Sequence, residues 1–209
     1  IYLFYPQSST IPTNRKSIAV LPFKNFSESK EDEFFADGVT EDIIMQLSRI
    51  ADLKVISRTS VMQYKGVNKN IRDVGRELNV GAVLEGSIRR AGNQIRIVAQ
   101  LIDANNEGHL WAETYDKELT QIFVIQSDVA KNIASSLKST LLPGERAHIE
   151  RTQTVNAEAY QNYLKGRFYW NKRTTADILT AIEYFQKAIR ADTNIALAYT
   201  GLASAYATI

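Results

Sequence analysis

The sequence predicts an α/β domain with a mixed sheet, in the order β-α-β-α-α-β-β-β-α, plus a C-terminal all-α helical hairpin. Three observations carry that prediction. Two short apolar runs, at 17–23 and 53–57, are separated by one helical stripe, as in a parallel crossover. From Gly81 the apolar period changes from helical to alternating, and beyond 155 only helical spacing remains. A chain of 209 residues has room for one large domain or two small ones.

The first strand is predicted from Ser17-Ile18-Ala19-Val20-Leu21-Pro22-Phe23, a nearly continuous apolar run ended by proline, as in a buried parallel strand. After a polar loop at 24–30, Phe35, Val39, Ile43 and Leu47, with Ile44 and Ile50, mark a helical face leading to the second strand. A short helix over 59–65 stops at Gly66. Another follows, with Ile71, Val74 and Leu78 on one face, opened by Asn70 with Asp73 three residues on. Leu84, Gly86 and Ile88 then alternate with Glu85, Ser87 and Arg89, and after the turn at Ala91-Gly92-Asn93 the alternation resumes through Ile95, Ile97, Ala99 and Leu101. A loop at 105–108 leads into a third alternating stretch over 109–116. Ile122, Ile125, Val129, Ile133, Leu137 and Leu141 lay one stripe along a long helix ending near Pro143-Gly144.

Composition narrows the function classes. Apolar residues make up 44% and charged residues 23%, the balance of a folded, water-soluble protein. Lys and Arg number 25 against 23 Asp and Glu, and a formal charge of +2 is too small to point to nucleic acid. With no cysteine and only His109 and His148, disulfides, thiol nucleophiles, zinc ribbons and iron-sulfur clusters are excluded. No glycine-rich phosphate loop or nucleophile elbow is present, so no catalytic residue, cofactor or metal is expected within the chain. The apolar start Ile1-Tyr2-Leu3-Phe4-Tyr5 is too short to span a bilayer; it reads as the trailing edge of a transmembrane helix or as an ordinary sticky terminus. The units are therefore a membrane-proximal stub and linker at 1–16, the α/β domain at 17–142, a polar linker at 143–156, and the helical part at 157–209.

In that helical part Tyr160, Tyr163, Leu164 and Phe168 recur at helical spacing, as do Ile178, Ile182, Phe185 and Ala188. Ala181, Phe185, Ala188 and then Tyr199, Leu202, Ala203 and Tyr206 match tetratricopeptide positions, and Gly166 and Tyr169 match with about three extra residues in the first turn. Thr193 stands where that repeat usually has proline. The apolar pattern runs to the chain end without a cap, which predicts that more repeats follow.

The blocks Ile18-Ala19-Val20-Leu21-Pro22-Phe23, Phe35-Ala36-Asp37-Gly38, Val55-Ile56-Ser57-Arg58-Thr59-Ser60, Leu84-Glu85-Gly86-Ser87 and Leu110-Trp111-Ala112-Glu113 together resemble the TolB-like amino-terminal domain. In bacteria that domain is often followed by tetratricopeptide repeats. The resemblance implies a non-catalytic regulatory segment of a membrane-anchored protein, on the periplasmic side of the inner membrane or in the cytoplasm. Its cyclase, kinase or winged-helix output would lie outside this chain. The alternative is a scaffold assembling envelope proteins through the repeats.

Several features invite a site reading. Asp37-Gly38 at a helix bend could offer donors to an anion, or Gly38 lets the helix approach the sheet. Glu31, Asp32, Glu33, Asp37, Glu41 and Asp42 suit a cation or the first turns of a helix. His109, Trp111, Glu113 and Tyr115 share a strand face that is either a ligand platform or packed against a helix. Arg89, Arg90 and Arg96 read as phosphate contacts or a solvated face. The tetratricopeptide register turns Tyr160, Tyr163, Arg167, Trp170 and Asn171 toward a groove for a protein or peptide, or else packs Tyr160 and Trp170 inward. Tyr199, Leu202 and Tyr206 form an edge expected to self-associate.

Overall fold

β1 (Ser17–Val20) is buried along its whole length, because it lies between β3 (Lys54–Val55) and β4 (Ala82–Ala91) and runs parallel to both. The computed structural model describes residues 16–29, 32–149 and 156–209, the side chain of His148 excepted. The membrane-proximal stub at 1–5 lies outside the described residues, as does most of the linker before β1. The sheet order is β3-β1-β4-β5-β6, with β5 (Gln94–Asp103) and β6 (His109–Glu118) antiparallel to their neighbours.

A strand that the sequence reads as loop, β2 (Lys24–Asn25), also runs parallel to β4, pairing with Ser87 and Ile88. The break between β1 and β2 has a local cause. Pro22 has no N–H to give to the ladder. The next donor, Phe23 N–H, turns instead to Thr40 Oγ1 at 3.1 Å. The Phe23 ring then lies over Gly86, where any Cβ would come within 2.7 Å of it.

α1 (Glu33–Leu47) makes the crossover and packs on β1 and β2. α2 (Arg58–Val61) and α3 (Ile71–Leu78) precede β4. Asn70 caps α3 by accepting from Arg72 N–H at 2.8 Å, and Asn79 ends it in the left-handed region at φ 51°. β5 alternates cleanly, with Ile95, Ile97, Ala99 and Leu101 buried and Gln94 and Arg96 exposed, so one face of the hairpin meets the core.

α4 (Ile122–Ser136) covers that buried face, but it stops well before Pro143. Lys138 takes the left-handed conformation at φ 51°, and Ser139 N–H reaches back to the Ala134 carbonyl at 2.8 Å, closing the helix. The segment read as a polar linker contains α5 (Pro143–Ile149), whose Ile149 is buried. Of the four strand residues predicted to share a face, only Tyr115 is buried and Trp111 half-buried; His109 and Glu113 are exposed on β6, a sheet edge among the described residues.

Three helices follow: α6 (Ala157–Asn171), α7 (Thr175–Ala191) and α8 (Ala196–Tyr206). Asn156 accepts from Ala159 N–H and Thr174 from Asp177 N–H, so the first two helices open on side-chain caps. α6 and α7 pair closely, α8 packs back on α7, and α6 lies directly on α1. Gly38 serves that last contact: a Cβ there would sit 2.6 Å from Leu164 of α6, so the close approach is to α6 and not, as the sequence suggests, to the sheet.

Candidate functional site

The contact between α1, α4 and α6 is built around polar groups. Asp42 lies one turn beyond Gly38 on α1 and is buried. Its Oδ2 accepts from Tyr160 Oη at 2.6 Å and from Gln126 Nε2 at 3.2 Å; Gln126 Nε2 also lies 3.2 Å from Tyr160 Oη. The Tyr160 ring is fully buried and meets Phe35 of α1 and Phe123 of α4 edge-on, at 6.5 and 5.4 Å. One residue earlier on α1, Glu41 takes Arg167 Nη2 of α6, Asn171 Nδ2 at 3.3 Å and Arg58 Nε of α2 at 3.3 Å. Arg167 Nη1 donates to Tyr163 Oη at 2.9 Å. Two successive acidic residues of one helix thus hold three other helices.

Burial pushes the Asp42 carboxyl up to about 6, against the lowering effect of its Tyr160 and Gln126 hydrogen bonds and of Arg167. Burial, together with that carboxylate, raises the Tyr160 phenol well above its ordinary value. Asp37 is also raised by burial, and Lys65 offsets part of this by donating to both its oxygens at 2.6 and 2.7 Å. Because folding raises the Asp42 pKa, the folded chain holds this proton more tightly than the unfolded chain. Between about pH 6 and 4, stability therefore rises as pH falls, and the penalty of the buried charge stands in full above 6. The expected gain is on the order of 2–3 kcal/mol. Urea unfolding at pH 7 and 4.5 should show this contribution in the native chain and lack it in Asp42→Asn; equal slopes would show that Asp42 does not titrate there.

The five residues expected to line a groove are engaged with their own chain. Tyr160 and Tyr163 are buried, Arg167 and Asn171 bind Glu41, and half-buried Trp170 has the guanidinium groups of Arg167 and Arg173 at 5.9 and 3.7 Å from its ring centre. Of the other acidic residues predicted as a cluster, Glu31 lies outside the described residues, Asp32 before α1 pairs with Arg90, and Glu33 and Asp37 pair with Lys65. Arg90 thus leaves the predicted solvated face; Arg96 stays exposed, paired with Asp116, and Arg89 is exposed. Among the described residues no group of three or more His, Asp or Glu is arranged to hold a metal. The sequence reads Glu41 and Asp42 only as a cation cluster or as first-turn charges and gives Gln126 and Arg58 no site role, so the junction itself escapes it. The signal was Asp42, a charge beside Ile43 on the stripe of Phe35 and Val39, where only a partnered carboxylate is tolerated. This arrangement holds helices together and keeps its carboxylate from solvent.

Comparison with known proteins places the chain. A Rhizobium meliloti (strain 1021) protein described as "Putative adenylate cyclase 3" is 43% identical over 188 residues, which is 90% of this chain. The chain spans about a third of that relative's length, 32%. Similar solved structures include the lipoprotein GNA1162 from Neisseria meningitidis, at 20% identity and TM-score 0.44 over 58% of this chain and 99% of that one. TolB from Acinetobacter baumannii is similar at 18% identity and TM-score 0.44 over 58% of this chain and 28% of its own. Residues 14–135, which hold the whole sheet, α1 to α3 and nearly all of α4, match the model of the HilA/YgeH-like transcriptional regulator, second domain. The chain belongs to that family of regulator domains.

Proposed function

We propose that this chain is a non-catalytic regulatory segment of a bacterial membrane-anchored signalling or transcription-regulating protein: a TolB-like module joined to the start of a tetratricopeptide array. One observation carries the reading. Residues 14–135 match a domain of transcriptional regulators, and 188 residues, 90% of the chain, match about a third of a cyclase-named protein, so the two matches overlap in the α/β part. A segment shared by outputs of such different chemistry is best understood as their common input. The α1–α6 junction supports this, because it links the α/β part to the helices through residues of both. Gly166 and Phe185 packing within α6 and α7 supports the tetratricopeptide register. In this reading the groove of a longer array takes a protein or peptide. The edge with Tyr199 and Tyr206 exposed and Leu202 half-buried is covered by further repeats or, in the isolated chain, by a second copy. The periplasmic side of the inner membrane is the proposed location; no helix among the described residues is long and apolar enough to cross a membrane.

The test uses the full-length protein that contains this chain. In-frame removal of 17–206 should change its cyclase or transcriptional output severalfold while the output domain stays folded, and the isolated chain should convert no ATP to cyclic AMP. An output indifferent to the deletion, or turnover by the isolated chain, would overturn the regulatory reading.

A further inference from the structure

Between the end of α4 and α5 a cavity of about 350 Å³ opens, lined by none of the residues of the α1–α6 junction. It falls within the size range of small-molecule pockets. Its lining divides by chemistry. Lys131 and Arg146 supply two cations, Ser135 and Ser139 two hydroxyls, and Ala134, Leu141 and Ile149 an apolar floor, with no acidic residue among them. Among the described residues neither cation forms an ion pair. Ser139 Oγ is buried there with no hydrogen-bond partner among them, and a buried hydroxyl without a partner is uncommon in a folded protein.

The negative end of a helix would ordinarily weaken such a site. Here three of the last four carbonyls of α4 are occupied. Ile133 accepts from Leu137 N–H at 2.9 Å, Ala134 from Ser139 N–H at 2.8 Å and Ser135 from Lys138 N–H at 3.0 Å. The opposite wall is pinned in place: Glu145 accepts from Ala51 and Leu142 N–H at 2.9 and 2.8 Å, and Thr140 N–H donates to Asp52 at 2.8 Å. Those pairings satisfy Glu145 and Asp52 by hydrogen bonds to backbone N–H groups and fix the segment that carries Leu141 and Arg146.

We infer that this pocket binds a small oxyanion on a short apolar stem, a phosphate monoester or carboxylate of a few carbons. Lys131 and Arg146 take the charge, Ser135 and Ser139 donate to its oxygens, and Leu141, Ile149 and Ala134 cover the stem. The inference concerns this chain alone and stands whether or not an output domain is attached.

Titration of the 209-residue chain, followed by amide chemical shifts at 150 mM NaCl, tests it directly. Butyl phosphate or hexanoate should saturate, with shifts centred on Ser135, Ser139 and Arg146. Inorganic phosphate should bind about tenfold more weakly or worse for want of a stem, and 1-butanol not at all. Lys131→Met combined with Arg146→Met should weaken binding at least about tenfold, and Ser139→Ala, which removes only one oxygen, severalfold, with circular dichroism unchanged in both. Co-sedimentation with phosphatidic acid vesicles, competed by butyl phosphate, would assign the anion to a lipid head; its absence would assign it to a soluble ester. No saturable shift with either amphiphile, equal affinity for inorganic phosphate, or unchanged affinity in both variants would overturn the inference.

Discussion

Replacing Phe185 with alanine is expected to destabilise the chain by about 3–5 kcal/mol, the range for deleting a large aromatic ring from a packed core. Phe185 is completely buried in α7, and its ring lies against two glycine backbones as well as the Tyr163 ring, 6.2 Å away centre to centre. A Cβ on Gly166 of α6 would come within 2.6 Å of the ring, and one on Gly201 of α8 within 2.5 Å. Three helices therefore meet at this ring, and because the glycines cannot extend to fill the space, the cavity stays open. Gly166→Ala alone should cost about 1–3 kcal/mol by overpacking. The cost of Gly166→Ala should shrink when Phe185 is already leucine, because a smaller, more flexible side chain leaves room for the methyl group. Urea unfolding of the two single variants and the double variant measures the coupling. Additive costs would mean that Gly166 and Phe185 do not share one packing site.

Much of the fold could be read from local chemistry. Asn70 and Asn79 bracket α3 through a side-chain cap and a left-handed turn, both of which act within a few residues. The β4–β5 hairpin is written in its alternation and in Gly92, whose φ of 59° most side chains resist. What escaped reading depends on non-local or competing terms. The apolar stripe of α4 continues through Leu141, so periodicity alone could not reveal that Lys138 would turn left-handed and start a new segment. β2 is two residues long and is recruited by β4, a pairing between residues far apart in the chain.

The junction was legible only in part, for the same reason. Tyr160 to Asp42 spans 118 positions, and an aromatic stripe on α6 fits a peptide groove as well as it fits a helix of its own chain. The choice was made by the polar residues of the partner face. Glu41 and Asp42 offer two acceptors on α1, and α6 carries a phenol, a guanidinium and an amide at spacings that reach them together. Residues typical of binding hot spots thus bind inside the chain, which leaves any groove for an outside partner to be formed by other faces of the helices.

Removing that guanidinium is the sharpest test of the junction. Arg167→Ala is expected to cost about 3 kcal/mol, because it breaks a buried ion pair and leaves Glu41, only 14% exposed at its side chain, with Arg58 and Asn171 alone. The same change strands the buried Tyr163 hydroxyl, which takes its hydrogen bond from Arg167. Arg167→Lys should recover little, since one ammonium cannot reproduce a planar fork that spans Glu41 and Tyr163 at once. Glu41→Gln should cost less than Arg167→Ala, because the amide still accepts from the remaining donors, and the double variant should fall short of the sum. The loss should also be spatially graded. Hydrogen exchange should quicken first in α6 and in the α1 turn around Gly38 to Asp42, while β4 and β5, which do not touch the pair, keep their protection. Uniform acceleration through the sheet would mean that the chain unfolds as a single unit. Unchanged exchange in α6 would show that Arg167 does not fasten it to α1.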